Sequence, residues 1–308
     1  MSVLKKVALT GAVSVVAVGA ALWFASAPQR LNAATLAALG PGDVANGEQV
    51  FFASGCASCH AASGASGEER LALGGGMKFE TGFGTFVAPN ISQHPTDGIG
   101  NWSVADLANA MMRGVSPEGE HYYPAFPYAS YARMKPQDVA DLHAFMQTLP
   151  AVEGKAETVA IPFPFNQRRG IGLWKAAFLD EAPVAVLDNP SEQLQRGQYL
   201  VESMGHCAEC HTPRNAFGAL DTSQWMAGAA AMETGGRPIP NITASDDGIG
   251  DWTEGDIAEL LSSGFTPEYD SVGGTMAAVV RNISELDAAD REAMAAYLKA
   301  IPAHPNGY

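Results

Sequence analysis

Cys56-Ala57-Ser58-Cys59-His60 returns as Cys207-Ala208-Glu209-Cys210-His211, and this pair of pentapeptides decides the fold. C-x-x-C-H is the attachment pattern of haem c. The two thiols add to the two vinyl groups, and the adjacent histidine is placed to take one axial position on the iron. The chain has 4 cysteines and both motifs together use them all. None is left for a disulfide, a zinc site or a thiolate ligand. The plainer reading is two redox or zinc C-x-x-C pairs, each followed by a chance histidine. Zinc would need a short-spaced set of four ligands, and the intervening sequence supplies none. Two covalent haem c groups are therefore expected.

The motifs sit in a duplication. Ala88-Pro89-Asn90-Ile91-Ser92 returns as Ile239-Pro240-Asn241-Ile242-Thr243. Asp97-Gly98-Ile99-Gly100-Asn101-Trp102 returns as Asp247-Gly248-Ile249-Gly250-Asp251-Trp252, and Gly114-Val115-Ser116-Pro117-Glu118 as Gly264-Phe265-Thr266-Pro267-Glu268. The first cysteine precedes the Pro-Asn asparagine by 34 residues in both halves. A period near 150 residues is too long for a solenoid and means two copies of one domain. The expected division is 1–30 as a membrane anchor or signal segment, 31–150 as the first domain, 151–188 as a linker and 189–308 as the second domain. Each copy is long enough to bury a core round a cofactor.

The fold class is mainly α. Asp43 and Ser191 read as N-caps of helices that run toward the cysteines. Asp106 to Met112 and Asp256 to Ser262 read as short helices after the tryptophans. Pro136 to Leu149 and Asp287 to Ile301 close the two copies, the latter with apolar positions at Met294, Tyr297, Leu298 and Ile301. Between them lie Gly- and Pro-rich loops such as Leu73-Gly74-Gly75-Gly76 and Gly82-Phe83-Gly84-Thr85, with little strand signal. In the linker, Ile161-Pro162-Phe163-Pro164-Phe165 cannot be a regular helix, and Gly172 to Leu179 reads as a short one. Its aromatics predict a segment packed across both domains, since free tethers are Gly/Ser-rich.

Lys5-Lys6 precede an uncharged, mostly apolar run from Val7 to Ala25, near the length of a spanning helix. Ala25-Ser26-Ala27 also fits a small-residue cleavage site. Either way the basic end stays inside and the rest is exported, so the expected location is the periplasmic side of the inner membrane, anchored by the N-terminal helix. The formal charge is −15. Residues 191–308 carry 17 acids against 6 bases, while residues 31–150 carry 11 against 5. Such a surface excludes nucleic acid as a partner and points to a basic one, steered to the second domain, with a surface that is acidic only for solubility as the alternative.

These motifs resemble the class I cytochromes c, and the resemblance implies a role for each further residue. Pro89 and Pro240 would accept a hydrogen bond from the free ring nitrogens of His60 and His211, fixing the ring and its tautomer. Trp102 and Trp252 would hydrogen-bond buried haem propionates, with plain core packing as the alternative. The sixth ligand of that family is a methionine in the loop before the last helix, which raises the potential. Met276, in Gly273-Gly274-Thr275-Met276, occupies that loop, and Met294 is left to core packing. The first copy departs from the pattern. Tyr123-Pro124-Ala125-Phe126-Pro127-Tyr128 resembles a loop in the cytochrome subunits of membrane-bound alcohol and gluconate dehydrogenases that carries methionine where Phe126 stands. Met134 is then the expected ligand, with His121 as the alternative and Met111 or Met112 nearby.

From about residue 40 onward the chain resembles those subunits, with two haem domains instead of three. The resemblance implies electron transfer from a periplasmic dehydrogenase to a quinone, a downstream cytochrome or a terminal oxidase, with no catalysis of its own. A dihaem enzyme is the competing class. A thiosulfate-dehydrogenase-like enzyme would need a cysteine on its catalytic iron, and none is spare. A peroxidase would need an open sixth position, which Phe126 keeps possible.

Overall fold

The structure is a computed structural model that describes residues 3–231 and 237–308. Helix α1 (Val3–Ala25) leads into α2 (Ala33–Ala37), α3 (Val44–Ala53) and α4 (Cys56–His60). A hairpin of β1 (Lys78–Thr81) and β2 (Gly84–Val87) follows, then α5 (Val104–Arg113), α6 (Tyr128–Tyr131) and α7 (Pro136–Met146). After α8 (Arg169–Phe178) the second half runs α9 (Glu192–Tyr199), α10 (Ala208–His211), α11 (Glu254–Ser263), α12 (Gly274–Ile283) and α13 (Ala288–Ala300). The two strands pair antiparallel with Lys78 opposite Val87.

The same local devices build the helices of both halves. Asp43 caps α3 by accepting from the N–H groups of Ala45 and Asn46, and Ser191 caps α9 through Leu194. Ser103 with Asp106, and Thr253 with Asp256, form reciprocal capping boxes that start α5 and α11 and satisfy otherwise orphaned donors. Both helices stop at a left-handed glycine, Gly114 or Gly264.

Packing repeats as well. In the first half α3 crosses α7, where Val50, Phe51, Val139, Leu142 and Met146 are buried and the rings of Phe51 and Phe145 lie 5.3 Å apart. The crossing is close because of Gly47, where a Cβ would fall 2.0 Å from the carbonyl oxygen of Asp141. In the second half α9 crosses α13, and a Cβ on Gly197 would fall 1.9 Å from the carbonyl oxygen of Ala293. Helix α9 then widens into a π turn over Leu200–Met204, where Leu200, Val201 and Met204 enter the core with Met294, Tyr297 and Leu298. Each such side chain contributes about 1.5–3 kcal/mol on burial.

Three expectations are corrected. The stretch read as loop at Gly82-Phe83-Gly84-Thr85 is the turn and second strand of the hairpin. Met276 lies in the first turn of α12 and not in a loop, because the two glycines before it form the N-terminal boundary of a ten-residue helix. The first-half closing helix ends at Met146, short of Leu149. Helix α1 is 23 residues long. The side chains of Lys5 and Lys6 lie outside the described ones, and among the described residues no helix is long and apolar enough to cross a membrane.

The segment between the halves touches both. Arg168 donates to the carbonyl of His121 at 2.6 Å, and Lys175 to those of Arg113 and Gly114 at 2.6 and 2.7 Å. Trp174 donates its indole N–H to Phe217 at 3.0 Å. Further on, the N–H groups of Val184 and Ala185 donate to the buried carboxylate of Glu202 at 2.6 and 3.0 Å.

Candidate functional site

The two C-x-x-C-H segments are short helices, each entered from a left-handed residue: Gly55 at φ 60° and His206 at φ 41°. That entry turns the chain so that both cysteines and the histidine project from about one helical turn. Burial pushes the thiols of Cys56 and Cys207 up to about 12. Burial, then the neighbouring Cys210, pushes Cys59 up to about 11. Surroundings of this kind favour neutral sulfur, as in a thioether, over the thiolate that zinc or redox chemistry needs. Among the described residues no cluster of three or more His, Cys, Asp or Glu side chains is arranged to hold a metal ion.

Each histidine is held the same way. Nδ1 of His60 lies 2.8 Å from the carbonyl oxygen of Pro89, and Nδ1 of His211 lies 2.8 Å from that of Pro240. A carbonyl only accepts, so the proton sits on Nδ1 and the lone pair is left on Nε2, the tautomer that ligates a metal. Desolvation lowers both imidazoles, partly offset by the proline carbonyl. They are neutral near pH 7 and free to bind iron.

The proline carbonyl is aimed by groups whose role the motifs alone did not reveal. Gly75 (φ 75°) donates its N–H to His60 at 2.7 Å, and Gly228 (φ 81°) donates to His211 at 2.8 Å. A Cβ on Gly75 would sit 2.5 Å from the Pro89 carbonyl, and one on Gly228 2.9 Å from the Pro240 carbonyl carbon. Asn90 accepts from the N–H of Ser92 at 2.9 Å and donates to the carbonyls of Val152 and Gly154, both at 2.8 Å. Asn241 accepts from Thr243 at 2.8 Å and donates to His304 at 2.8 Å. Each Pro-Asn turn is thereby fastened to the chain that leaves its own closing helix. The repeated asparagine was visible in the sequence. The glycines were not, since they lie at different distances from their prolines.

The remaining expected residues lie on other elements. Trp102 and Trp252 are half-buried against the core. Met276 is half-buried at the start of α12. Met134, 3 % exposed, is packed in the core just before α7. Met111 and Met112 are buried on α5. His121 is turned away to the N-terminal segment, its Nε2 donating to the carbonyl of Ser26 at 2.9 Å.

Each motif and its flanks also touch the other half of the chain. Ser58, inside the first, accepts from Nδ2 of Asn282 on α12 at 2.7 Å. Nε2 of His206 donates to the carbonyl of Ser54 at 3.3 Å, and its ring stands edge-on to Tyr131 with centroids 5.7 Å apart. Ser130 donates to Glu209, inside the second motif, at 3.2 Å. Arg70 closes the contact on Glu285 at 2.6 Å.

Comparison with known proteins agrees with this geometry. The cytochrome c family model matches residues 44–150. A diheme cytochrome c-type protein of Cereibacter sphaeroides is 53% identical over 95% of this chain and 96% of its own length. The cytochrome subunit of fructose dehydrogenase from Gluconobacter japonicus is 34% identical over 84% of this chain and 53% of its own length. The cytochrome c subunit of alcohol dehydrogenase (quinone) from Gluconobacter oxydans is 34% identical over 86% and 56%. The chain thus spans about half the length of these two subunits. With half-buried neutral thiols, a carbonyl-held histidine beside them and a relative matched over 95% of the chain, the chain belongs to the cytochrome c family and carries haem c.

Proposed function

We propose that this protein is a dihaem electron carrier working beside a dehydrogenase on the exported side of the inner membrane. One haem c is held by Cys56, Cys59 and His60 in a first domain (31–150), the other by Cys207, Cys210 and His211 in a second (189–308). When bound, haem iron supplies a one-electron couple near a potential set by its axial ligands. The chain's own residues orient His60 and His211 through Pro89 and Pro240. Met276 would supply the sulfur donor to the second haem, and Trp102 and Trp252 would hydrogen-bond the propionates of the first and the second haem. The observation that carries the reading is the repeated unit of paired half-buried thiols, histidine and proline carbonyl, with the chain flanking one attachment segment hydrogen-bonded to the chain flanking the other. That contact suits passage of an electron from one half to the other.

The dehydrogenase partner is supported by the kinship to dehydrogenase cytochrome subunits. The acidic second half suits a basic cytochrome or a basic patch on a terminal oxidase as acceptor. Anchoring by the N-terminal helix is supported by the exposure of Val13, Val15, Val16, Val18, Leu22 and Phe24 along α1. The chain just after it is tied to the fold, with Arg30 donating to the carbonyl of Pro117 at 2.6 Å.

Mass spectrometry of the denatured protein tests the reading, with two covalent haem additions expected; one or none would overturn it. Met276→Leu keeps the packing volume but removes the thioether. It is expected to abolish the sulfur-to-iron charge-transfer band of one haem and lower that haem's potential. Survival of both would remove Met276 as the ligand.

A further inference from the structure

The two halves can be laid over each other residue by residue ahead of the closing helices. Val115 bridges His121 as Phe265 bridges Ser271. The N–H of Tyr122 donates to Gly114 at 2.8 Å, as that of Val272 donates to Gly264 at 2.9 Å. Four residues beyond these anchors the second half carries Met276 and the first carries Phe126. The second half then takes two more residues to reach its closing helix.

The other donors near the first site have different employment. Met134 stands immediately before the N-cap of α7, and Leu286 immediately before that of α13. They are 3 % and 4 % exposed, so one buried place is filled by methionine in one half and leucine in the other. A place that either apolar side chain fills is a packing position. Met111 of α5 pairs in the same way with Leu261 of α11, both buried. His121 occupies the place of Ser271, and its Nε2 is committed to Ser26.

Phe126 itself is ringed by aromatics. The centroids of Tyr122, Tyr128 and Tyr131 lie 5.9, 6.4 and 5.9 Å from its own, all near edge-on. Tyr131 donates to the carbonyl of Ser54 at 3.0 Å. Tyr128 is fully buried, and its hydroxyl has no hydrogen-bond partner. A buried hydroxyl without a partner is a donor left unused.

We propose that the first haem iron has no protein sulfur in its sixth position, and that a small exogenous ligand of the diatomic-gas class takes that position within the aromatic cluster at Phe126. This rests on the reading that both halves hold haem. The test is a carbon monoxide titration of the reduced full-length protein, with haem counted by mass on the same sample. One carbon monoxide bound per two haems is expected, and Met134→Leu should leave that ratio unchanged. Phe126→Met restores a thioether at the matching place; it should abolish carbon monoxide binding and add a sulfur-to-iron charge-transfer band in the oxidised protein. Two haems with no carbon monoxide bound would overturn this proposal and leave the electron-carrier reading standing. Binding that persists in Phe126→Met would overturn it as well, since Phe126 would then not face the iron. Fewer than two haems would strike the dihaem reading itself.

Discussion

At the scale of single residues, the site depends on two glycines outside the motifs. Gly75 and Gly228 hold left-handed backbone against the proline carbonyls that fix His60 and His211. An alanine there meets two penalties. The left-handed backbone alone costs about 1–2 kcal/mol for an L side chain, and the new Cβ presses on the carbonyl that orients the imidazole. Gly75→Ala is therefore expected to lower the free energy of unfolding by at least about 1–2 kcal/mol, read as a fall in denaturant midpoint. The histidine–iron ligation of the first haem should be weakened, and that of the second should keep its wild-type spectrum. An unchanged midpoint would mean that the turn can shift without the glycine.

At the scale of elements, the tightest constraint is the pair of helix crossings, α3 on α7 and α9 on α13. Gly47 and Gly197 let one helix ride on the carbonyl face of the other. Gly47→Ala or Gly197→Ala forces the helices apart, and each should cost about 1–3 kcal/mol as an overpacked contact, measured by urea unfolding. Much of this level was legible in the sequence. The caps at Asp43 and Ser191 announce themselves as polar residues ahead of a helix, and the helices after the two tryptophans and the closing helices by their apolar period, the last two without a side-chain cap. Helix α12 did not, because Gly273-Gly274 reads as loop while the helix rests on packing of Val280 and Ile283. The hairpin at Lys78–Val87 was hidden for a related reason: its burial pattern does not alternate. The histidine–proline pairing was legible from spacing and resemblance. The contact of the first motif with α12 through Ser58 and Asn282 was not, since it joins residues 224 positions apart.

For the whole molecule, charge decides how a partner arrives. The net formal charge is −15, with most of it in the second half. Long-range attraction of a basic cytochrome is screened as the Debye length falls from about 30 Å at 0.01 M to about 8 Å at 0.15 M salt. Electron exchange with a basic cytochrome is expected to slow by about tenfold or more over that range, followed by stopped-flow absorbance. A small uncharged reductant should show no such dependence. Equal salt sensitivity for both would place the rate limit inside the protein and not in the encounter.

The contacts that join Ser58 to Asn282 and set His206 against Ser54 would also govern how the proposed carrier holds charge. Two haems, one in each half, would be brought close enough to repel each other's added electron. The second electron would then enter at a lower potential than an isolated site would show, and the half-reduced molecule would be favoured over a mixture of empty and full ones. A donor that releases electrons in pairs would meet a carrier that holds one and passes the other on.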